Sequence, residues 1–148
     1  MKTFLLLLIL LAFLQSAFLP LNLVLVLLIA RSLVVEDRSN LILAFGSGLV
    51  LSFLTQVNLG YWPIVLVLAV KLAGMIRKLP VSFNPVIIFL GGVIVISIVA
   101  VVNNFLIGEK IQIIPRIWEA VLVLPIFYLT RAWEERFVVK SGIKLKIK

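Results

Sequence analysis

Six carboxylates are the main candidates for acid–base chemistry, because the chain has no histidine and no cysteine. They are Glu36, Asp37, Glu109, Glu119, Glu134 and Glu135. General acid–base catalysis needs such groups in pairs, in a sheltered site that splits their proton affinities. The hydropathy pattern instead places five of them in loops or at segment ends, and Glu119 one turn into a helix. The chain has no Ser–His pairing, no phosphate-cradling glycine loop followed by lysine, and no cluster with metal-ligand spacing. Without cysteine or histidine, disulfides, thiol catalysis and ordinary zinc sites are excluded. The expectation is a protein that is not an enzyme and that uses no cofactor or metal.

The remaining marked residues are uncharged polar groups and one lysine within apolar sequence. In Gly48–Gly60, an apolar run collects Ser52, Thr55, Gln56 and Asn58 before closing on Leu59-Gly60. Ala44, Gly48, Ser52 and Gln56 recur every four residues and so share one helix face. A face of small residues lets membrane helices approach closely, so this one is a candidate packing or partner face. Gly60 is the expected left-handed stop of the helix. Asn58, Trp62, Asn103 and Asn104 fall at the same end of their segments and form a candidate polar cluster. Lys71 lies about ten residues into its segment, where an ammonium is costly unless it snorkels or pairs. Arg77 is roughly 9 Å further along the helix axis, so the stem can reach the surface; Glu36 or Asp37 is the alternative partner. Arg116 with Glu119, and Arg131 with Glu135, are spaced to pair on a helix surface. Gly91-Gly92 permits close helix approach.

The elements that must position these residues follow from composition. Of 148 residues, 64% are hydrophobic, and the mean hydropathy is +1.28. Soluble domains are roughly 45–50% apolar, so the chain reads as an all-α integral membrane protein: a bundle over residues 1–133 and a basic cytoplasmic tail over 134–148. Thr3–Leu14 and Leu21–Ala30 are two short helices parted by a turn near Gln15–Pro20; a single helix would be about 40 Å long, too long for one span. A cleaved leader is the rival reading of the start, but Gln15-Ser16-Ala17 makes a poor cleavage site. Four further helices are predicted: Ser39–Thr55 with Ser39 as N-cap, Tyr61–Lys78, Asn84–Ile107 opened by Asn84-Pro85, and Ile117–Arg131 kinked at Pro125. The net charge of +8 is confined to connections and ends, as a topology signal and not a nucleic-acid surface. With six spans, only Lys110 and Arg116 fall outside. The positive-inside rule then puts the C-terminus in the cytoplasm; five spans would move only Lys2, so the cytoplasmic N-terminus depends on the span count. Tyr61, Trp62 and Trp118 would form an outer aromatic belt and Trp133 an inner one. The alternating Ile143–Lys148 tail suits anionic lipid headgroups.

Three stretches, LLLLILLAFLQSAFLP at Leu5–Pro20, NLVLVLLIA at Asn22–Ala30 and FGSGLVLSFLTQVNLGYWP at Phe45–Pro63, together resemble MreD, the small membrane subunit of the bacterial rod-shape machinery. The likeness covers about the first 80 residues. Members often carry an Asp where this chain has Asn22, and another where it has Ser52; their Ser-Gly-rich turn is Thr55–Asn58 here. The resemblance implies a compact six-helix bundle similar to the substrate-binding S components of ECF vitamin transporters. It implies a non-enzymatic scaffold in the bacterial cytoplasmic membrane. Its partners would be an MreC-like single-span protein, the RodA–penicillin-binding-protein synthase and the MreB filament, and its role to position peptidoglycan synthesis. The alternative is an S component proper, with a small ligand held by convergent polar groups at the outer end.

Overall fold

A computed structural model describes residues 2–18, 21–35, 37–78, 84–108 and 110–137. Among these residues the protein is entirely helical: α1 (Lys2–Ala17), α2 (Leu23–Val34), α3 (Ser39–Thr55), α4 (Tyr61–Arg77), α5 (Pro85–Ile107) and α6 (Ile113–Phe137). The first apolar run is two helices, as expected; Pro20 lies outside the described residues. α6 starts four residues earlier than expected and continues through Glu134 and Glu135 to Phe137. Residues 134–137, assigned to the tail on sequence, therefore extend the helix, whereas Ile143–Lys148 lie outside the described residues.

Local chemistry sets the helix ends. Asn84 Oδ1 accepts the Val86 N–H at 3.0 Å, and Pro85 occupies the first turn, where a missing N–H leaves nothing unpaired. Gly108 closes α5 in the left-handed conformation (φ 70°), donating its N–H to Asn104 O at 3.0 Å. Two expectations are corrected. Ser39 is the first helical residue of α3, not its cap; the Asp37 carboxylate accepts both the Ser39 N–H, at 3.2 Å, and the Ser39 hydroxyl. The left-handed stop of α3 is Gln56 (φ 55°), while Gly60 has ordinary right-handed geometry (φ −94°) just before α4.

α2 is the axis of the bundle. Its residues Val24 to Leu33 are all buried, and it touches every other helix. Around it the contacts run α1–α3–α4–α5–α6. The ring does not close at the backbone, because among the described residues no Cα of α1 comes within 8 Å of one in α6. The gap is an apolar groove of about 410 Å³ whose walls include Phe4, Leu7, Leu11, Leu27, Ile126 and Trp133. Small residues set the tight approaches. A Cβ on Gly48 would lie 2.5 Å from Pro63 Cα and N, so α3 rests directly on the start of the α4 backbone. Gly91 and Gly92 similarly leave room for Ile76 of α4 and Val123 of α6, 2.9 Å from where each Cβ would be.

The outward faces are as apolar as the core. Leu6, Ile42, Phe53, Ile64, Ile94 and Phe105 are all more than half exposed. Water-soluble monomers rarely expose apolar surface that continuously. α5 and most of α6 are long and apolar enough to cross a membrane, and α1, α2 and α3 are shorter apolar helices. These features support association with a membrane.

Candidate functional site

Polar side chains gather at the two ends of the bundle. One end brings together the C-terminus of α1, the N-termini of α2, α4 and α6, and the C-terminus of α3. α2 is only 12 residues, about 18 Å, so its first turn lies deep. Backbone N–H groups there lack helical acceptors and need partners. Two side chains from other helices provide them. Glu119 Oε1 of α6 accepts the Asn22 N–H at 2.8 Å, and Gln15 Oε1 of α1 accepts the Val24 N–H at 3.1 Å. A carboxylate also suits the positive end of the α2 dipole.

Glu119 is fully buried and ion-paired with Arg116, whose Nη1 approaches both carboxylate oxygens at 3.0 and 2.8 Å. The expected Arg116–Glu119 pair is therefore present, but Glu119 belongs to the interior and not to the helix surface. Among the described residues, Nη1 is the one guanidinium nitrogen that finds an acceptor. Arg116 Nε is buried, and among the described residues it has no acceptor. Among the described residues the Gln15 amide is engaged through its oxygen.

Beside this arrangement lies a cavity of about 230 Å³, lined by Gln15, Ser16, Asn22, Thr55, Trp62, Lys110, Gln112 and Arg116 together with Leu21 and Pro115. Trp62 is buried and donates its indole N–H to Thr55 Oγ1 at 2.9 Å; that hydroxyl in turn donates to Leu51 O at 2.7 Å. It is a wall of the cavity and not part of an interfacial belt. Trp118 and Trp133 are exposed on α6, as a belt requires.

The candidate polar cluster of Asn58, Trp62, Asn103 and Asn104 does not converge. Only Trp62 reaches the cavity. Asn58 and Asn104 are exposed, and Asn103 is buried, accepting a hydrogen bond from the Tyr61 hydroxyl. On the candidate packing face, Ala44, Gly48 and Ser52 are buried, and Gly48 is the point of contact with α4. Gln56 leaves that face where the helix stops and is exposed.

The opposite end is organised by Arg31, which is 5% exposed. Its Nε lies 3.2 Å from Glu134 Oε1, its Nη1 donates to Asn40 Oδ1 at 2.9 Å, and its guanidinium carbon stands 4.6 Å from the Phe4 ring centroid. Asn40 then donates to Val35 O at 2.7 Å. One cation thus ties α1, α2, α3 and α6 together. Lys71 is exposed at the rim of a separate cavity of about 380 Å³, shared with Asp37, Asn40 and Lys78. Asp37 titrates below its usual range, chiefly because the Ser39 hydroxyl donates to it, with the Ser39 N–H next. Glu36, the other partner expected for Lys71, lies outside the described residues. The Arg131–Glu135 pair is present at 2.8 Å on an exposed face.

Sequence reading missed Gln15, Asn22, Arg31 and Glu119 as interior polar groups. The available signal was depth: Glu119 and Arg31 stand within apolar runs, where ionisable residues usually face inward and pair. Among the described residues no group of three or more His, Cys, Asp or Glu could hold a metal ion. Comparison with family models, curated proteins and solved structures finds no match for this chain.

Proposed function

We propose that the chain is a non-enzymatic scaffold subunit of the rod-shape machinery. It would span the bacterial cytoplasmic membrane six times, with both termini in the cytoplasm, and position peptidoglycan synthesis with an MreC-like single-span partner. The observation that carries this reading is the break in the helix ring between α1 and α6. The walls of that groove are almost wholly apolar, it runs alongside the central helix, and it is open to the side. The apolar side chains of a partner's single transmembrane helix suit such a groove in chemistry, since helix association in lipid depends on packing and not on apolar burial. Within the stretches that carry the MreD resemblance, Gly48 serves packing: it lies against the Trp62–Pro63 backbone.

A second reading rests on the cavity at the other side of α2, whose convergent polar lining suits a small-ligand carrier of the S-component kind. Affinity purification of the tagged chain from gently solubilised native membranes separates the two. Recovery of a single-span, MreC-like protein or of the wall synthase supports the scaffold. A photo-crosslinker at Leu7 should then capture that partner, and one at Ile64, exposed on α4 opposite the gap, should not. Recovery of two cytoplasmic ATPases with a coupling membrane subunit overturns the scaffold in favour of the carrier.

A further inference from the structure

The cavity beside Glu119 is lined by two basic side chains and several uncharged polar ones. Lys110 and Arg116 contribute two cations, and the described lining includes no carboxylate. The nearest one, Glu119, is already occupied by Arg116 Nη1 and the Asn22 N–H. Arg116 keeps a buried, unpartnered Nε. Gln15 is 9% exposed and lines the cavity; its oxygen caps Val24, and among the described residues its amide nitrogen makes no hydrogen bond. The Gln15 amide, Arg116 and the exposed Lys110, from α1, α6 and the connection before α6, line one partly open cavity. Multiple donors with a guanidinium and an ammonium match a group with several anionic oxygens.

We infer that this cavity binds a phosphate group, held by Lys110, Arg116 and the free amide of Gln15. The phosphate belongs either to a phospholipid headgroup entering from the leaflet or to a soluble molecule. The site does not depend on which partner the bundle assembles with. Glu119 holds Arg116 in place through Nη1 and offsets its charge, so Lys110 adds the further positive charge of the lining. Trp62 forms one wall, so its emission reports occupancy.

The test uses the full chain in uncharged detergent, with Trp118→Phe and Trp133→Phe leaving Trp62 as the single indole. Inorganic phosphate, at constant ionic strength set with chloride, and monomeric dihexanoyl phosphatidylglycerol are titrated separately. Melting temperature in the same samples gives a second readout that does not use fluorescence. At least one titrant should change Trp62 emission saturably and raise the melting temperature. Lys110→Ala, at an exposed position that leaves the Glu119 pair intact, should weaken that binding about tenfold, and Lys110→Arg should restore it. Binding of phosphate alone identifies a soluble source, and binding of the lipid alone identifies the headgroup; both support the site. Silence of both titrants in both readouts, or equal affinity of Lys110→Ala and its parent, overturns it.

Discussion

Glu119 Oε1 and the backbone N–H of Asn22 meet at 2.8 Å across 97 positions of sequence. The contact makes α6 a cap for α2, so the central helix cannot be seated without the carboxylate that neutralises its first turn. The same carboxylate holds Arg116. Removing one member of a buried ion pair leaves the other charged without compensation and costs about 3–5 kcal/mol. Glu119→Leu and Arg116→Leu should each lower the unfolding midpoint sharply in detergent. The double variant should be less damaged than the sum of the two, with Glu119→Leu retaining an extra loss from the uncapped Asn22. A double-mutant cycle on thermal unfolding measures this directly, and strict additivity would remove the proposed coupling.

Arg31 is the corresponding centre at the other end, but it uses different nitrogens for Glu134 and Asn40 while lying over Phe4. That division of labour requires a planar fork. Arg31→Lys keeps the charge and loses the geometry. It should destabilise the bundle by about 2 kcal/mol or more, approaching the cost of losing a buried charge-assisted pair. Trypsin cleavage near the α6 C-terminus should rise in parallel, since Glu134 would be released. A variant as resistant to heat and trypsin as the parent would show that any cation suffices.

Glycine substitutions separate the helix contacts by rigidity. At Gly48 an added methyl meets the Pro63 backbone at 2.5 Å, which cannot move without shifting α4. At Gly91 the obstacle is the Ile76 side chain at 2.9 Å, which can rotate. Gly46 and Gly74 face open space. Gly48→Ala should therefore cost about 1–3 kcal/mol as overpacking, Gly91→Ala less, and Gly46→Ala or Gly74→Ala should stabilise by about 0.4–1 kcal/mol through the unfolded chain. A ranking in which Gly48→Ala is neutral would contradict the α3–α4 contact.

How far these relationships could be read from sequence differs by type. Periodicity and punctuation located α3 at Ser39–Thr55 and the Asn84-Pro85 start of α5, because caps and prolines act within a few residues. The stop of α3 is misplaced on sequence because glycine advertises a left-handed backbone and glutamine does not, yet the positive φ falls on Gln56. The Ala44–Gly48–Ser52 face was legible, but its partner was not, since the close approach depends on how the 56–60 turn folds α4 back. The cavity was illegible for the same reason. Gln15, Thr55 and Arg116 lie on three helices, and nothing local indicates that their ends share one space. The depth of Glu119 was hinted at by its apolar neighbours, and the i,i+3 spacing to Arg116 drew attention to the surface instead.

Asp37 links the start of α3 to pH. Its carboxyl is held below the usual 3.8 mainly by the Ser39 hydroxyl and then by the Ser39 N–H. A folded-state value below the unfolded one means that the unfolded chain takes up the proton first on acidification. The contribution of Asp37 is thus fully present above about pH 4 and is lost as pH falls through the folded value. Asp37→Asn should melt earlier than the parent at pH 6, and the difference should shrink below pH 3.8. A difference that stays constant or grows in acid would assign the stabilisation to something other than the ionised carboxylate.

The six-span arrangement makes the most direct demand on the protein in its membrane. In the bundle, Ser16, Asn58 and Lys110 stand at the cavity end or beside the turns that join it, whereas Arg38 and Lys78 stand at the end with Arg31. If every helix crosses, these two sets face opposite sides, even though α2 spans only about 18 Å. A helix that short crosses only if polar groups and water meet its ends below the headgroups, as Gln15 and Glu119 do at its N-terminus. The chain has no native cysteine, so single cysteines can be placed without further change. Ser16→Cys, Asn58→Cys and Lys110→Cys should react with a membrane-impermeant maleimide in intact spheroplasts. Arg38→Cys and Lys78→Cys should react only after permeabilisation, the side that the charge asymmetry assigns to the cytoplasm. Labelling of Ser16→Cys from the cytoplasmic side alone would mean that α1 and α2 enter and leave by the same face, and the six-span topology would fail there.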